Sequence, residues 1–373
     1  MNGSATTHGT ILFTREVRWE STLPVSTRML AERFLADGWR VIWLNPVGFG
    51  PVPRLEAVDH GALLELRPSS PVPCTLRSAH ALEARHVLGW LSVAGLVRRA
   101  LRQRAIPDPS VLWLSHTKSE GIQRIFPGVR TIWHVTDDYA GMSRFPASAA
   151  RLCRVGFRSA DRVACVSSEL RDAVVRTYDV AASRCVVLPH GVDADRLRAR
   201  SGSDPFAGVT APRVVYVGNT RRMDVDAVDA LARTSRVHVV IIGDREPLGT
   251  LASRENVTAT GSLPPDQVGA LLPWCDAGLI SYSPRELVNA QLGNPMKAME
   301  YAAACLPILS PPLPAYRDLD LPVRLYTSPE ELRALVAGLP PTAGEREALR
   351  QSVRAHTWQA RYEQALALIG GQP

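Results

Sequence analysis

Short apolar runs alternate with amphipathic helical stretches along this 373-residue chain, in two series separated by a polar stretch at 197–212. The first series has runs at 10–14 (TILFT), 40–44 (RVIWL), 111–114, 131–135, 161–166 and 186–188. The second has them at 213–217, 237–242, 257–261, 276–281, 308–309 and 323–326. A strand, a helical crossover and a second strand leave the two strands parallel, with helices covering the sheet faces. The pattern predicts two doubly wound, Rossmann-like α/β domains facing a cleft, over 1–195 and 196–356, with ligands at the carboxyl edges of the strands.

Length and composition bound the function. A chain of 373 residues with 46% hydrophobic and 21% charged content suits two soluble domains, each with its own core. The start, MNGSATTHGTILF, lacks the charged and apolar regions of a secretory signal, and no run reaches the ~20 apolar residues of a membrane span. Cys74, Cys153, Cys165, Cys185, Cys275 and Cys305 are scattered without a Cys-x-x-Cys pair, which reads as reduced thiols in a cytoplasmic protein. The net charge of +7 suits an anionic ligand or a membrane surface, and no nucleic-acid module is present, so no nucleic-acid partner is expected. No Gly-x-Gly-x-x-Gly follows Thr14, which argues against a nicotinamide or flavin cofactor. Asp193-Ala194-Asp195 spells a D-x-D, but it falls on an inter-domain turn, and no metal is expected.

The stretch from 284 to 310 carries the most chemistry. Asn294 reads as an N-cap and Pro295 as the first helical residue, followed by an unbroken run from Met296 to Ala304. Lys297 then lies in the first turn, beside free backbone N–H groups and the positive end of the helix dipole, a suitable place for phosphate. Glu300 shares its face and can accept hydrogen bonds from ribose hydroxyls. The bland alternative is an intrahelical Lys–Glu pair. Lys118 and Lys297 are the only lysines in a chain rich in arginine, which singles both out. Gly218, Arg221, Arg222 and Met223 follow the strand at 213–217, and Tyr282 precedes the 284–310 stretch; with Asn294 and Met296 they complete the set expected around that phosphate-bearing ligand. Met223 reads equally well as a core residue.

In the first half, Asp137 and Asp138 end the apolar run TIWHV. Two adjacent carboxylates at a strand end repel each other, which favours one of them as a general base; the alternative is a helix cap. Trp19, His116 and Lys118 on the edge loops, with His190 in the turn PHGVD, are the candidates for contact with a second ligand, the acceptor of any group transferred. The stretch 77–105 is a basic amphipathic helix, bearing Arg77, Arg85, Arg98, Arg99, Arg102 and Arg104. It could rest on an anionic membrane as a peripheral contact or present a solvated basic face.

Residues 295–314, PMKAMEYAAACLPILSPPLP, resemble the P-x-K-x-x-E-Y-x-A-x-G-x-P-V-x-x-T segment of GT-B nucleotide-sugar glycosyltransferases, closest to bacterial enzymes of polysaccharide, lipid-linked glycan and natural-product synthesis. DRVACVSS and PHGVD resemble further segments of that family, with His190 in place of an asparagine. The resemblance implies that Lys297 contacts the donor diphosphate, that Glu300 contacts the ribose, and that a strand-end acidic residue is the base in inverting members. It also implies that the terminal helix, 357–373, crosses back to the first domain. Two departures stand out. Cys305 replaces the usual glycine after the helix, and Gly293 stands where many retaining members carry a second glutamate. The expected reaction is metal-independent transfer of a sugar from a nucleoside diphosphate sugar to a hydroxyl or amine of a small-molecule or lipid-linked acceptor. The alternatives are a nucleotide-sugar 2-epimerase and a non-catalytic nucleotide-sugar-binding protein.

Overall fold

The computed structural model describes residues 8–21, 26–74, 83–139, 148–197, 202–233 and 236–370. The chain packs as two compact units, Met1–Pro189 with Arg361–Pro373, and His190–Ala360.

The first unit holds a nine-stranded sheet: β1 (Thr10–Thr14), β2 (Arg40–Leu44), β3 (Gly48–Phe49), β4 (Arg54–His60), β5 (Leu63–Ser70), β6 (Val111–Leu114), β7 (Arg130–Val135), β8 (Arg162–Cys165) and β9 (Cys185–Val187). The order is β3-β5-β2-β1-β6-β7-β8-β9, and every pairing is parallel except that of β4, which runs antiparallel along β5. The central strands β1 and β6 are apolar on both faces and fully buried, as strands covered by helices on both sides must be. The sequence gives no sign of β4, RLEAVDH, because an edge strand half open to water carries charge instead of an apolar run.

The second unit holds β10 (Arg213–Val217), β11 (His238–Ile242), β12 (Val257–Gly261), β13 (Ala277–Leu279), β14 (Ile308–Ser310) and β15 (Val323–Leu325), all parallel, in the order β12-β11-β10-β13-β14-β15. Two apolar clusters lie on its faces, one containing Tyr301 and Met299, the other Tyr216 and Met223.

The division between units falls at Pro189, ahead of the 195/196 boundary expected from the sequence. The reason is local packing. A Cβ on Gly191 would stand 2.7 Å from the Trp358 ring, Val192 bridges to Thr357, and Ala194 and Leu197 enter the second unit's core. Part of the expected linker is also packed: Phe206 is buried, and Arg213 binds Asp204 at 2.9 Å and the carbonyls of Phe206 and Val209. Residues 198–201 lie outside the described residues. The Trp358–Gly370 helix begins in the second unit and ends in the first, where Tyr362 meets Phe34 edge-on at 4.8 Å and bonds Asp37. All six cysteines are buried and free.

Candidate active site

The Met296–Ala303 helix is fixed to the second sheet by Tyr301. Its ring stacks on the bare backbone of Gly278, where any Cβ would lie 2.2 Å away, and its hydroxyl accepts from the Val217 N–H at 3.0 Å and donates to the Leu279 carbonyl at 3.2 Å. One turn earlier the same helix presents Lys297. Gly218, with φ of +139°, lets the chain turn away from the end of β10 and leaves room for the amine; a Cβ there would stand 3.0 Å from Lys297 Nζ. The ammonium lies 4.5 Å from the Tyr216 ring centroid and 5.4 Å from that of Tyr282. Arg222 sits on the same Tyr282 ring at 5.4 Å and is held by Glu286 at 2.7 Å.

Burial lowers the Lys297 pKa to about 8, Arg222 pushes in the same direction, and Glu300 opposes them. Glu300 is shifted upward by burial, against the pull of Lys297 and Arg196. Neither side chain, among the described residues, has a hydrogen bond or an ion pair within 4.0 Å, with the other or with any third group. The intrahelical pair that the sequence allowed does not form. A partly buried ammonium and carboxylate left unpartnered at a strand edge are arranged for a ligand.

Asn294 is not the N-cap. Pro295 takes that position without a side-chain bond, and Asn294 is 8% exposed with both amide atoms unpartnered. Met296 is the first residue of the helix and partly buried. Arg221 points to Glu246 on the exposed surface. Met223 is 3% exposed within the core cluster of Val228 and Leu231, so it offers no surface to a base or sugar. Tyr216, Glu286 and Tyr301 were missed by sequence reasoning; the aromatic residue after Glu300 was the one available signal.

In the first unit, the run TIWHV ends with the Thr136 hydroxyl donating to Asp137 at 3.2 Å. That hydroxyl lies 3.0 Å from Tyr139 Oη, which donates to the Ser115 carbonyl at 2.9 Å. Burial and then the Asp137 carboxylate push the Tyr139 hydroxyl up to about 12. Asp137 and Asp138 are both partly exposed and border a cavity of about 260 Å³ walled by Phe157, Leu170, Val174 and Tyr178.

His116 caps the short helix Thr117–Ser119 through Nδ1, which accepts from the Lys118 N–H at 3.1 Å. Its Nε2 lies 3.2 Å from Glu16, which Lys118 also binds. Burial raises the Glu16 carboxyl, but His116, Lys118 and Arg15 together outweigh it and hold the group below its ordinary value. His116 and Lys118 therefore serve Glu16 rather than standing open. Trp19 is likewise occupied by packing: its ring meets Trp43 edge-on at 5.2 Å, and its backbone N–H donates to the buried Glu65 carboxylate at 3.0 Å. His190 is 7% exposed in the turn before Gly191.

The comparisons agree with this architecture. The family described as Glycosyltransferase Family 4 matches residues 23–196, and that described as glycosyl transferase-like matches 221–367. Sucrose-phosphate synthase from Thermosynechococcus elongatus superposes with a TM-score of 0.73 at 14% identity, over 98% of this chain and 99% of that one. HepE of Anabaena, in complex with UDP and glucose, gives 0.68 at 14% identity over 98% and 100%. A UDP-forming trehalose-phosphate synthase from Burkholderia xenovorans gives 0.68 at 12% identity over 97% and 98%. No curated protein sequence matches. At such identities the superpositions speak for the fold, and the two family matches speak for the chemistry, with none for the epimerase alternative. The chain is an enzyme of the GT-B glycosyltransferases.

Proposed function

We propose that the enzyme transfers a sugar from a UDP-sugar to an acceptor hydroxyl or amine without a metal ion. Lys297, with the backbone N–H groups opening its helix, takes the diphosphate, and Glu300 takes the ribose hydroxyls. The observation that carries this reading is two opposite charges three residues apart, neither of them hydrogen-bonded or ion-paired, with the other or with any third group, among the described residues. Arg222, fixed on Tyr282, adds positive charge beside Lys297. As the bond from the anomeric carbon to the diphosphate oxygen breaks, negative charge grows on the leaving group, and fixed cations stabilise it. Asp137, oriented by Thr136, removes the acceptor proton, which fits direct displacement with inversion. The choice of UDP draws on HepE, solved with UDP and with UDP-glucose. The acceptor is a small molecule or a lipid-linked glycan.

The test is calorimetry of UDP and GDP, followed by incubation with radiolabelled UDP-glucose alone. Binding of UDP with at most slow hydrolysis of the sugar donor is the expected result. Conversion of the free donor to an epimer, or no nucleotide binding, contradicts it.

One surface supports membrane contact. Among the described residues of the basic stretch, Arg98 bonds the Ile125 carbonyl and Arg104 pairs with Asp59. Arg85, Leu88, Leu91, Arg99 and Arg102 are exposed along one face of the Glu83–Gln103 helix, with Leu88 54% and Leu91 47% accessible. Apolar residues flanked by arginines suit the interface of an anionic bilayer. Arg77 lies outside the described residues, and no described helix is long and apolar enough to cross a membrane. Co-sedimentation with anionic but not neutral vesicles, lost on replacing both leucines by serine, is expected.

A further inference from the structure

Three oxygen–oxygen contacts run inward from Asp137. Its Oδ2 lies 3.2 Å from Thr136 Oγ1, that oxygen lies 3.0 Å from Tyr139 Oη, and Tyr139 Oη lies 2.9 Å from the Ser115 carbonyl. Thr136, Tyr139 and Ser115 are all buried, so water does not compete for the inner contacts. The far end is anchored as well: Ser115 follows β6, and its N–H donates to the Thr14 hydroxyl at the end of β1, at 3.2 Å.

Each hydroxyl has one proton to give. The Ser115 carbonyl only accepts, so it takes the Tyr139 proton. Burial, with the Asp137 carboxylate behind it, holds the Tyr139 hydroxyl up at about 12, which keeps that proton in place at neutral pH. The contact between Thr136 and Tyr139 can then be bonded only by the Thr136 proton. If that proton is used there, the contact between Asp137 and Thr136 can be bonded only by a proton on Asp137. With Asp137 ionised, Thr136 donates to the carboxylate and its contact with Tyr139 carries no proton. With Asp137 neutral, all three contacts are hydrogen bonds running one way.

We infer that Thr136 and Tyr139 are positioning residues that strengthen Asp137 as a base, because their hydrogen-bond chain is complete only when Asp137 holds the proton. Hydrogen bonding to the neutral form of a carboxyl raises its affinity for the proton, and a general base works best when that affinity matches the working pH. In the transfer step the acceptor's proton passes to Asp137 while the acceptor atom bonds the anomeric carbon. The bond from that carbon to the diphosphate oxygen breaks, and UDP leaves with the electron pair. A half-turn of the carboxyl brings the proton to Thr136, whose own proton turns to Tyr139. The inference deepens the proposed function and rests on Asp137 being the base.

The other titratable groups around the chain are Arg15 beyond β1, His116 after β6, the adjacent Asp138, Cys153 of the Ser148–Ser159 helix and Tyr178 of the Ser168–Tyr178 helix. Burial pushes the Cys153 thiol up to about 12 and raises Tyr178, so both stay neutral. His116 and Asp138 can change charge beside Asp137, and they are the same in every variant compared for the titration.

The experiment labels the aspartate carboxyl carbons of the full chain isotopically and follows the Asp137 resonance by NMR between about pH 3.5 and 8. Asp137→Asn identifies that resonance. Tyr139→Phe should lower its midpoint by about 0.5–1 pH unit, the worth of one hydrogen bond. In the Thr136→Val background the same Tyr139→Phe change should move nothing, because the link is already cut, and in the Thr136→Ser background the fall should return. A midpoint that stays or rises in Tyr139→Phe, or an equal fall in the Thr136→Val background, overturns the inference. UDP binding by each variant reports that it is folded. Should Tyr139→Phe not fold, the wild type labelled at tyrosine Cζ keeps the test: a tyrosine resonance must move with the Asp137 midpoint, and none moving overturns the chain. Hydrolysis of UDP-glucose by Asp137→Asn separates the two readings. Normal turnover there overturns the base and with it the catalytic use of the chain, whereas lost turnover with an unmoved midpoint in Tyr139→Phe overturns the chain alone.

Discussion

The Lys297 ammonium lies 4.5 Å from the Tyr216 ring centroid and has no carboxylate within 4.0 Å among the described residues. A cation held over an aromatic face keeps its orientation without losing its charge to a salt bridge. The group is thereby left for an anion.

Replacing Lys297 with alanine should weaken UDP and UDP-sugar binding alike, by about 1.5–3 kcal/mol, or roughly 10–100-fold. Because the free-enzyme amine is lowered to about 8, it is protonated below that pH and neutral above it. UDP affinity should therefore be level below about pH 8 and fall as pH rises past it. Lys297→Arg keeps its charge and should remove that fall. Calorimetry between pH 6 and about 9.5 reads both outcomes; a flat wild-type profile would contradict the assignment.

Gly218→Ala places a methyl 3.0 Å from Lys297 Nζ at a φ of +139°. The amine must move, and the backbone is strained by about 1–2 kcal/mol. UDP affinity should drop about tenfold, more than melting alone would suggest. Thermal melts with and without UDP separate the two effects, and an unchanged affinity would show that the amine does not need its present seat.

Asp137→Asn and Asp138→Asn should differ. The first removes the carboxylate that Thr136 orients and should lower turnover about 10²–10⁴-fold with UDP affinity intact. The second should do less. If both turn over normally, neither is the base, and a product with the donor's anomeric configuration would reject inversion separately.

Cys305 has φ of +59° immediately after the Met296–Ala303 helix, with Cys305 N–H bonding Ala302 O at 3.0 Å and Leu306 N–H bonding Tyr301 O at 2.8 Å. This helix end favours glycine. Cys305→Gly should stabilise the second unit by about 0.5–1 kcal/mol, once the extra freedom of glycine in the unfolded chain is deducted. A melting temperature raised by ~1–3 °C is the expected readout.

The sequence was enough to read the alternation of strands and helices, the two sheets, and the place of Lys297 in the first turn of its helix. These follow from period and from local backbone preference, which neighbouring residues set. It also flagged Cys305, because the family segment that it resembles carries glycine at that position. Contacts between distant stretches were beyond its reach. The folded chain keeps Lys297 and Glu300 apart, seats the amine between Gly218 and Tyr216, and pins the helix to Gly278 through Tyr301. It alone buried Met223, turned Trp19 onto Trp43 and tied His116 to Glu16. A polar residue near a strand edge reads the same in sequence whether it meets a ligand or a neighbour. What separates the two is which side chains the fold brings within about 4 Å.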